Sequence, residues 1–122
     1  MATHHVIGTN GEQAALTYLL RQGYTLKHKN WRYKHLEIDL IMLDGQVLVF
    51  VEVKTRSDTA FGMPYEAVTW QKQHKLSQAA TIFIRQHRYE GEIRFDIVSI
   101  LADQQGQFNV RHIQDAFWPR YS

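Results

Sequence analysis

No cysteine occurs among the 122 residues, so disulfides and thiolate metal sites are excluded and a reducing compartment is the consistent setting. No apolar run approaches the roughly 20 residues that a membrane-spanning helix needs. The start of the chain also lacks the charged and apolar blocks of a secretory signal. The expected location is therefore the cytoplasm, with no membrane partner. Neither sign of charge dominates: 14 Lys and Arg against 12 Asp and Glu leave a formal net charge of +2, which permits nucleic acid as a partner without requiring it. Internal repeats, low-complexity tracts and composition shifts are absent as well. Residues 1–122 thus read as a single domain able to bury a real core, with a loose arm over 1–9 and a tail over 114–122.

What the chain does contain is a pair of β-rich runs that carry acids. Leu36 to Leu43 and Gln46 to Arg56 flank Asp44-Gly45, a strong local signal for a tight hairpin turn. Alternation puts Glu37, Asp39, Ile41 and Leu43 on one face of the first arm. In the second arm it puts Leu48, Phe50, Glu52, Lys54 and Arg56 opposite Val47, Val49, Val51 and Val53. A two-residue turn at Asp44-Gly45 sets Asp39 across from Phe50 with Glu52 a diagonal step away; a four-residue loop sets Asp39 directly across from Glu52. A three-residue loop would separate the acids, because a one-residue slip turns the whole strand over. An even loop is expected, since it joins Leu36, Ile38, Leu40 and Met42 to the valine row as one apolar face.

Carboxylates crowded at the end of an apolar hairpin are costly. Desolvating an ion costs roughly several kcal/mol even after relaxation, and like charges side by side add to that. Lys54 offsets one negative charge. A divalent cation would offset the rest, and an all-oxygen donor set suits Mg²⁺ or Mn²⁺ better than zinc.

Elsewhere, Asn10 and Gln13 resemble a helix-capping pair, predicting a first helix over residues 11–22 that Gly23 ends. Its apolar stripe, Ala15, Leu16, Leu19 and Leu20, shares a face with Glu12, so an acid of the first turn points inward or simply complements the helix dipole. A strand over residues 24–33 holds Lys27, Lys29, Arg32 and, just beyond it, Lys34, interleaved with Trp31 and Tyr33. That mixture suits phosphates and unstacked bases, or equally a solvated strand edge. Pro64 opens a helical stretch to about His87, interrupted near Thr69, with Leu76, Ala79, Ala80 and Phe83 buried. Lys72 and Lys75 lie on neighbouring turns, suited to a phosphate or to a hydrated edge. Strands follow over residues 92–101, with Ile93, Phe95 and Ile97 opposite Arg94 and Asp96, and over 107–113, where His112 reads as packed or exposed rather than as a ligand. The tail at Ala116-Phe117-Trp118-Pro119 is expected to cover an edge or contact a partner. Helix, three strands, helix and two strands make an α/β mixed sheet with helices packed on it.

Two carboxylates, Asp39 and Glu52, can hold a divalent ion against a scissile phosphate, so that bound water loses a proton and attacks in line. Lys54 would orient or deprotonate that water, or steady the developing negative charge. The runs Gly11-Glu12-x-x-Ala15-x-x-Tyr18-Leu19-x-x-x-Gly23-Tyr24, Asn30-Trp31-Arg32, Glu37-Ile38-Asp39-Leu40-Ile41, Leu48-Val49-Phe50-Val51-Glu52-Val53-Lys54-Thr55-Arg56, Phe61-Gly62-x-Pro64-x-Glu66-Ala67-Val68 and Arg94-Phe95-Asp96 resemble the YraN-like family of small bacterial proteins. That family is similar to archaeal Holliday-junction resolvases and is placed with the PD-(D/E)xK nuclease superfamily.

The resemblance implies a restriction-endonuclease-like α-β-β-β-α-β core and Mg²⁺ as cofactor. It assigns Asp39, Glu52 and Lys54 to the metal and lysine positions, Glu12 to the helix acid that joins the metal set, and Glu37 to an accessory role. Ile38 stands where the superfamily has proline, and Leu36 where the family usually has glycine, so a side chain there could crowd a close backbone approach. The activity so implied is cleavage of DNA, with branched structures among the candidate substrates. Lys27, Lys29, Trp31, Arg32, Lys34, Arg56, Lys72 and Lys75 would then grip the nucleic acid. A module that binds nucleic acid without turnover and an interaction protein docking through its aromatic tail stay open beside it. So does a homodimer that would cut both strands.

Overall fold

Periodicity alone orders the elements correctly, and packing then adjusts their ends. The computed structural model describes residues 4–58 and 62–119, with side chains from residue 10 onward. Helix α1 covers His4–Arg21; strands β1, β2 and β3 cover Thr25–Tyr33, Leu36–Asp44 and Val47–Arg56. A short 3-10 turn at Pro64–Ala67 leads into α2, Trp70–His87, followed by β4, Ile93–Ala102, and β5, Phe108–Ile113. The five strands form one mixed sheet in the order β1-β2-β3-β4-β5, antiparallel except where β4 runs parallel to β3. The expected loop around Ser57 to Met63 lies partly outside the described residues. No helix is long and apolar enough to cross a membrane among the described residues.

One terminus differs from expectation. Helix α1 begins at His4, so residues 4–9 of the anticipated loose arm are helical and Asn10 is an interior position. Gln13 does not reach back as a cap: its side-chain amide donates to Thr17 Oγ1 at 3.4 Å. The polar and glycine residues at 8–11 look like a helix start because they compete for backbone hydrogen bonds. At the other end Phe117 is buried and stacks on Phe95 with ring centroids 4.8 Å apart, which closes part of the edge as anticipated, while Trp118 stays 80% exposed. The interruption near Thr69 is a helix cap, where Thr69 Oγ1 accepts from the Lys72 backbone N–H at 3.2 Å.

Each helix covers one face of the sheet. On the α1 side Ala15, Leu16 and Leu19 pack with Leu40, Met42, Val49, Val51, Val53, Val98 and Ile100. On the α2 side Leu76, Ala79, Ala80 and Phe83 pack with Ile41, Leu48, Phe50, Phe95 and Ile97. Gly11 lets α1 approach β3, because a Cβ there would collide with Thr55 Oγ1. Gly→Ala inside an open helix normally gains about 1 kcal/mol. Here Gly11→Ala is expected instead to lower stability by roughly 1–3 kcal/mol through overpacking. Thermal melting of Gly11→Ala, Thr55→Ala and the double variant checks this, the Thr55→Ala change recovering most of the loss.

The hairpin register is even, as anticipated: Leu40 pairs with Val51 and Asp44 with Val47 across Gly45-Gln46. One step further, that register sets Asp39 against Glu52. The single apolar face expected for Leu36, Ile38, Leu40 and Met42 does not form. Leu36 and Ile38 lie on the α2 side, whereas Leu40 and Met42 lie on the α1 side. The cause is a kink shared by β1 and β2. Lys29 pairs with Leu40 and Trp31 with Ile38, but Asn30 between them adopts φ 52°, a left-handed conformation that Asn tolerates better than most residues. Consequently His28 and Trp31, three residues apart, both meet Phe83 from the same side. Asp39 occupies the crossing point of β2, opposite Asn30. Leu36 places its side chain in the α2-side core with 6% exposure.

Candidate metal and phosphate site

Glu52 lies on the β3 face that carries Leu48 and Phe50, and it is 4% exposed. Lys54, two residues along the same face, places Nζ 3.6 Å from Glu52 Oε1; Lys72, from the first turn of α2, places its Nζ 3.6 Å from the same oxygen. Asp39 comes from the neighbouring strand at the kink, where its Oδ2 accepts from the Val53 backbone N–H at 2.8 Å. Even parity of the hairpin and the crossing at Asp39 therefore bring two carboxyls and two ammonium groups together.

The electrostatics follow from that packing. Burial, and then the charge of Glu52, push the Asp39 carboxyl up to about 8, against the opposing effect of the Val53 N–H; Glu12 and Glu37 raise it further. Burial also raises Glu52, with Lys72 and Lys54 pulling it back down. At neutral pH the pair resists carrying two negative charges.

A divalent cation is the chemical complement of such a pair. Among the described residues no three acidic or histidine side chains stand close enough to cage a metal by themselves. The residues that could hold such an ion are Asp39 and Glu52, with Glu12 felt at Asp39 from α1 at longer range. Two carboxylates fit Mg²⁺ or Mn²⁺, which keep waters and take substrate phosphate oxygens as further ligands.

The remaining candidates separate. Glu37 is an accessory charge near Asp39 and also pairs with Arg32 at 3.6 Å, an exposed contact of little energetic weight. Lys27, Lys29 and Lys34 are exposed on or just beyond edge strand β1, Lys34 lying over the Tyr33 ring at 5.5 Å. Trp31 is partly buried, its ring edge-on to Phe83 at 5.7 Å, so it belongs to the α2-side packing. Arg56 is partly buried at the end of β3 and Lys75 is exposed one turn beyond Lys72. Sequence reasoning named Lys72 for phosphate or a hydrated edge and missed its pairing with Glu52, which only the docking of α2 creates.

A second polar cluster was not foreseen. On the α1 side of β4, Arg94 binds Asp96 through Nε at 2.8 Å and Nη2 at 3.0 Å, and reaches Asp44 at 3.0 Å and the Tyr24 hydroxyl at 2.6 Å. His112, packed rather than exposed, meets Asp96 at 2.7 Å, and the Asp115 N–H donates to Asp96 at 3.0 Å. Burial works against the Asp96 charge, but these donors together hold its carboxyl below the usual range. The available signal was two opposite charges two residues apart on the inner face of a strand. Arg94→Met is expected to cost about 3–5 kcal/mol by stranding a buried carboxylate. Because a depressed carboxyl stabilises above its unfolded pKa and loses that contribution as pH falls, the deficit measured by urea unfolding should shrink toward pH 3.

A UPF0102 protein of Bacteroides fragilis is 42% identical over 119 residues, covering 98% of each chain. One from Prosthecochloris aestuarii is 44% identical over 120 residues, 93% of this chain and 94% of the relative. One from Rhodococcus opacus is 40% identical over 118 residues, 96% of this chain and all of the relative. Residues 11–100, which carry every acid and lysine of the site, match the model of the uncharacterised protein family UPF0102, and the chain belongs to that YraN-like family.

Proposed function

We propose that this protein is a metal-dependent endonuclease that hydrolyses phosphodiester bonds in DNA, with branched structures among its substrates, on a restriction-endonuclease-like core of the PD-(D/E)xK kind. The single observation that carries the reading is the meeting of half-buried Asp39 and buried Glu52 with two lysines on Glu52 Oε1. The order of elements, helix, three strands, helix, strand, supports it, since it is the order of that core. Asp39 and Glu52 would hold Mg²⁺ or Mn²⁺, whose charge polarises the phosphate and acidifies a bound water. Lys54 steadies the negative charge that grows on the phosphoryl oxygens as the water oxygen joins phosphorus and the P–O bond breaks. Lys72 adds a second point charge from the opposite element, suited to a phosphate oxygen of the same strand. The exposed cations of β1 and Lys75 extend this grip along the backbone.

Incubation of the pure protein with plasmid and four-way junction DNA, with Mg²⁺ or Mn²⁺ and with chelator, tests the reading: cutting that chelator stops supports it, and intact DNA under every condition overturns it. One observation favours a second reading, a nucleic-acid-binding module without turnover: Lys54 and Lys72 both pair with Glu52 Oε1 and themselves offset its charge. Binding that weakens with salt but never cleaves would establish that alternative.

A further inference from the structure

The turn that joins β1 to β2 and the flank of α2 border a cavity of about 380 Å³, within the range of roughly 300–1,000 Å³ common for small-ligand pockets. Its lining is mixed. Leu36 and Ile82 supply apolar surface, Tyr33 a ring, Gln78 an exposed side-chain amide, and Lys34 an exposed ammonium whose Nζ lies 5.5 Å from the Tyr33 ring centroid. Among the described residues no carboxylate lines it, so an anionic group meets one positive charge there and no negative one. What such a lining suits is a flat, partly apolar ring tethered to an anion. The apolar walls and Tyr33 take the ring, the Gln78 amide, which both donates and accepts, meets its polar edge, and Lys34 meets the anion. Those are the parts of a nucleotide.

The position of the cavity agrees. Leu36 precedes Asp39 by three residues on β2, about 10 Å of strand, and it lies on the α2 side of the sheet with Leu48 and Phe50, the β3 face that carries Glu52. On α2, Lys72, Lys75 and Gln78 follow at three-residue spacing, which makes each a surface neighbour of the next. Lys72 faces Glu52 and Gln78 lines the cavity, so a row holding two ammonium groups joins them. We propose that this cavity receives an unpaired nucleobase whose phosphate Lys34 holds, from a strand that runs along Lys75 and Lys72 to the carboxyl pair. The proposal rests on the nucleic-acid reading of the site but not on turnover. A base inside a duplex is paired and stacked and cannot enter a cavity; a base at a flap, branch or gap is free to do so.

Fluorescence anisotropy with the full chain and chelator, using labelled oligothymidylate, oligouridylate, an abasic strand of equal length and a plain duplex, tests it. Tyr33→Ala should weaken binding of the two base-bearing strands by roughly 5- to 100-fold, the range of one lost base–aromatic contact. Gln78→Ala should weaken it by roughly 2- to 10-fold, the range of one hydrogen bond. Both should change binding of the abasic strand and duplex by less than about twofold. Lys34→Ala should instead weaken oligothymidylate and the abasic strand alike, and lower the salt dependence of log affinity by about one. The thymidine and uridine arms distinguish DNA from RNA as the source of the base. Equal loss on all four probes from Tyr33→Ala and Gln78→Ala, or no loss on any, overturns the base receptor. Metal-dependent cutting of duplex by the parent, with strand affinity unchanged in both variants, removes this inference and keeps the nuclease reading; absence of affinity for every probe removes both. Should melting show that Tyr33→Ala unfolds the chain, Gln78→Ala, at an exposed position, carries the comparison.

Discussion

Asp39→Asn should abolish metal-dependent cleavage while making the protein harder to melt at alkaline pH. The asparagine oxygen can still accept the Val53 N–H that holds Asp39 at 2.8 Å, so the geometry at the kink survives. What disappears is a negative charge beside Glu52, together with the ability to bind a cation as a carboxylate. Loss of cleavage by roughly 10²–10⁴-fold is expected, the scale of removing one positioned catalytic group, and Lys54→Ala should fall in the same range for a different reason, since it leaves the carboxylates in place. The stability change has a definite sign. The folded-state pKa of Asp39 stands near 8, above its ordinary value of 3.8, so protonation favours the folded state and ionisation opposes it. The parent's contribution from this group is complete below about pH 4 and is lost as pH rises through 8. Asp39→Asn escapes that loss, and its advantage in melting temperature over the parent should grow from pH 5 to about pH 8 and level off above it. A variant that still cuts, or that melts lower than the parent at pH 9, would contradict the assignment of Asp39.

Mn²⁺ or Mg²⁺ should raise the melting temperature of the parent, and the apparent affinity for the ion should climb steeply with pH. Asp39 must give up its proton before it can serve as a ligand, so ion binding below pH 8 releases one proton. The midpoint of a metal titration followed by thermal shift should therefore move about tenfold per pH unit between pH 6 and pH 8. Above pH 8 it should level off, because the carboxylate is then already formed. A hundredfold excess of ion over its dissociation constant stabilises by about 2.7 kcal/mol, a shift of several degrees for a domain of this size. Glu52→Gln should remove the shift at every pH, whereas Glu12→Gln should only weaken it, since Glu12 acts on Asp39 from a distance. A metal effect independent of pH, or one that persists in Glu52→Gln, would place the ion elsewhere.

The two expectations share one physical origin. Burial is what makes Asp39 and Glu52 expensive as charges, and the same burial strengthens whatever cation relieves them. The two lysines supply part of that relief to Glu52 alone. Among the described residues Asp39 gains only a backbone N–H, which is why its pKa is the more informative of the two. The polar network around Asp96 shows the opposite balance. There Arg94, His112 and a backbone N–H satisfy the carboxylate fully enough to hold its pKa down. One cluster is compensated within the chain; the other is less fully compensated, which is the condition the proposed metal site requires.

By itself the sequence determined the order of the elements, the even parity of the hairpin, the buried stripe of α2 and the acids and lysine of the site, because alternation, helical spacing and turn chemistry are local and survive without tertiary contacts. The tertiary structure alone decided the rest. Helix α1 extends back to His4 past a stretch of poor helix formers, and Gly11 proves to be a contact with Thr55 rather than a helix start. The left-handed turn at Asn30 sends Leu36 and Ile38 to the opposite side of the sheet from Leu40, a reversal that strict period-two reading cannot anticipate. Lys72 meets Glu52, and Trp70 is left open to solvent, only because α2 docks where it does. Pairings between residues distant in the chain depend on how whole elements settle against one another, and no window of neighbouring residues encodes that.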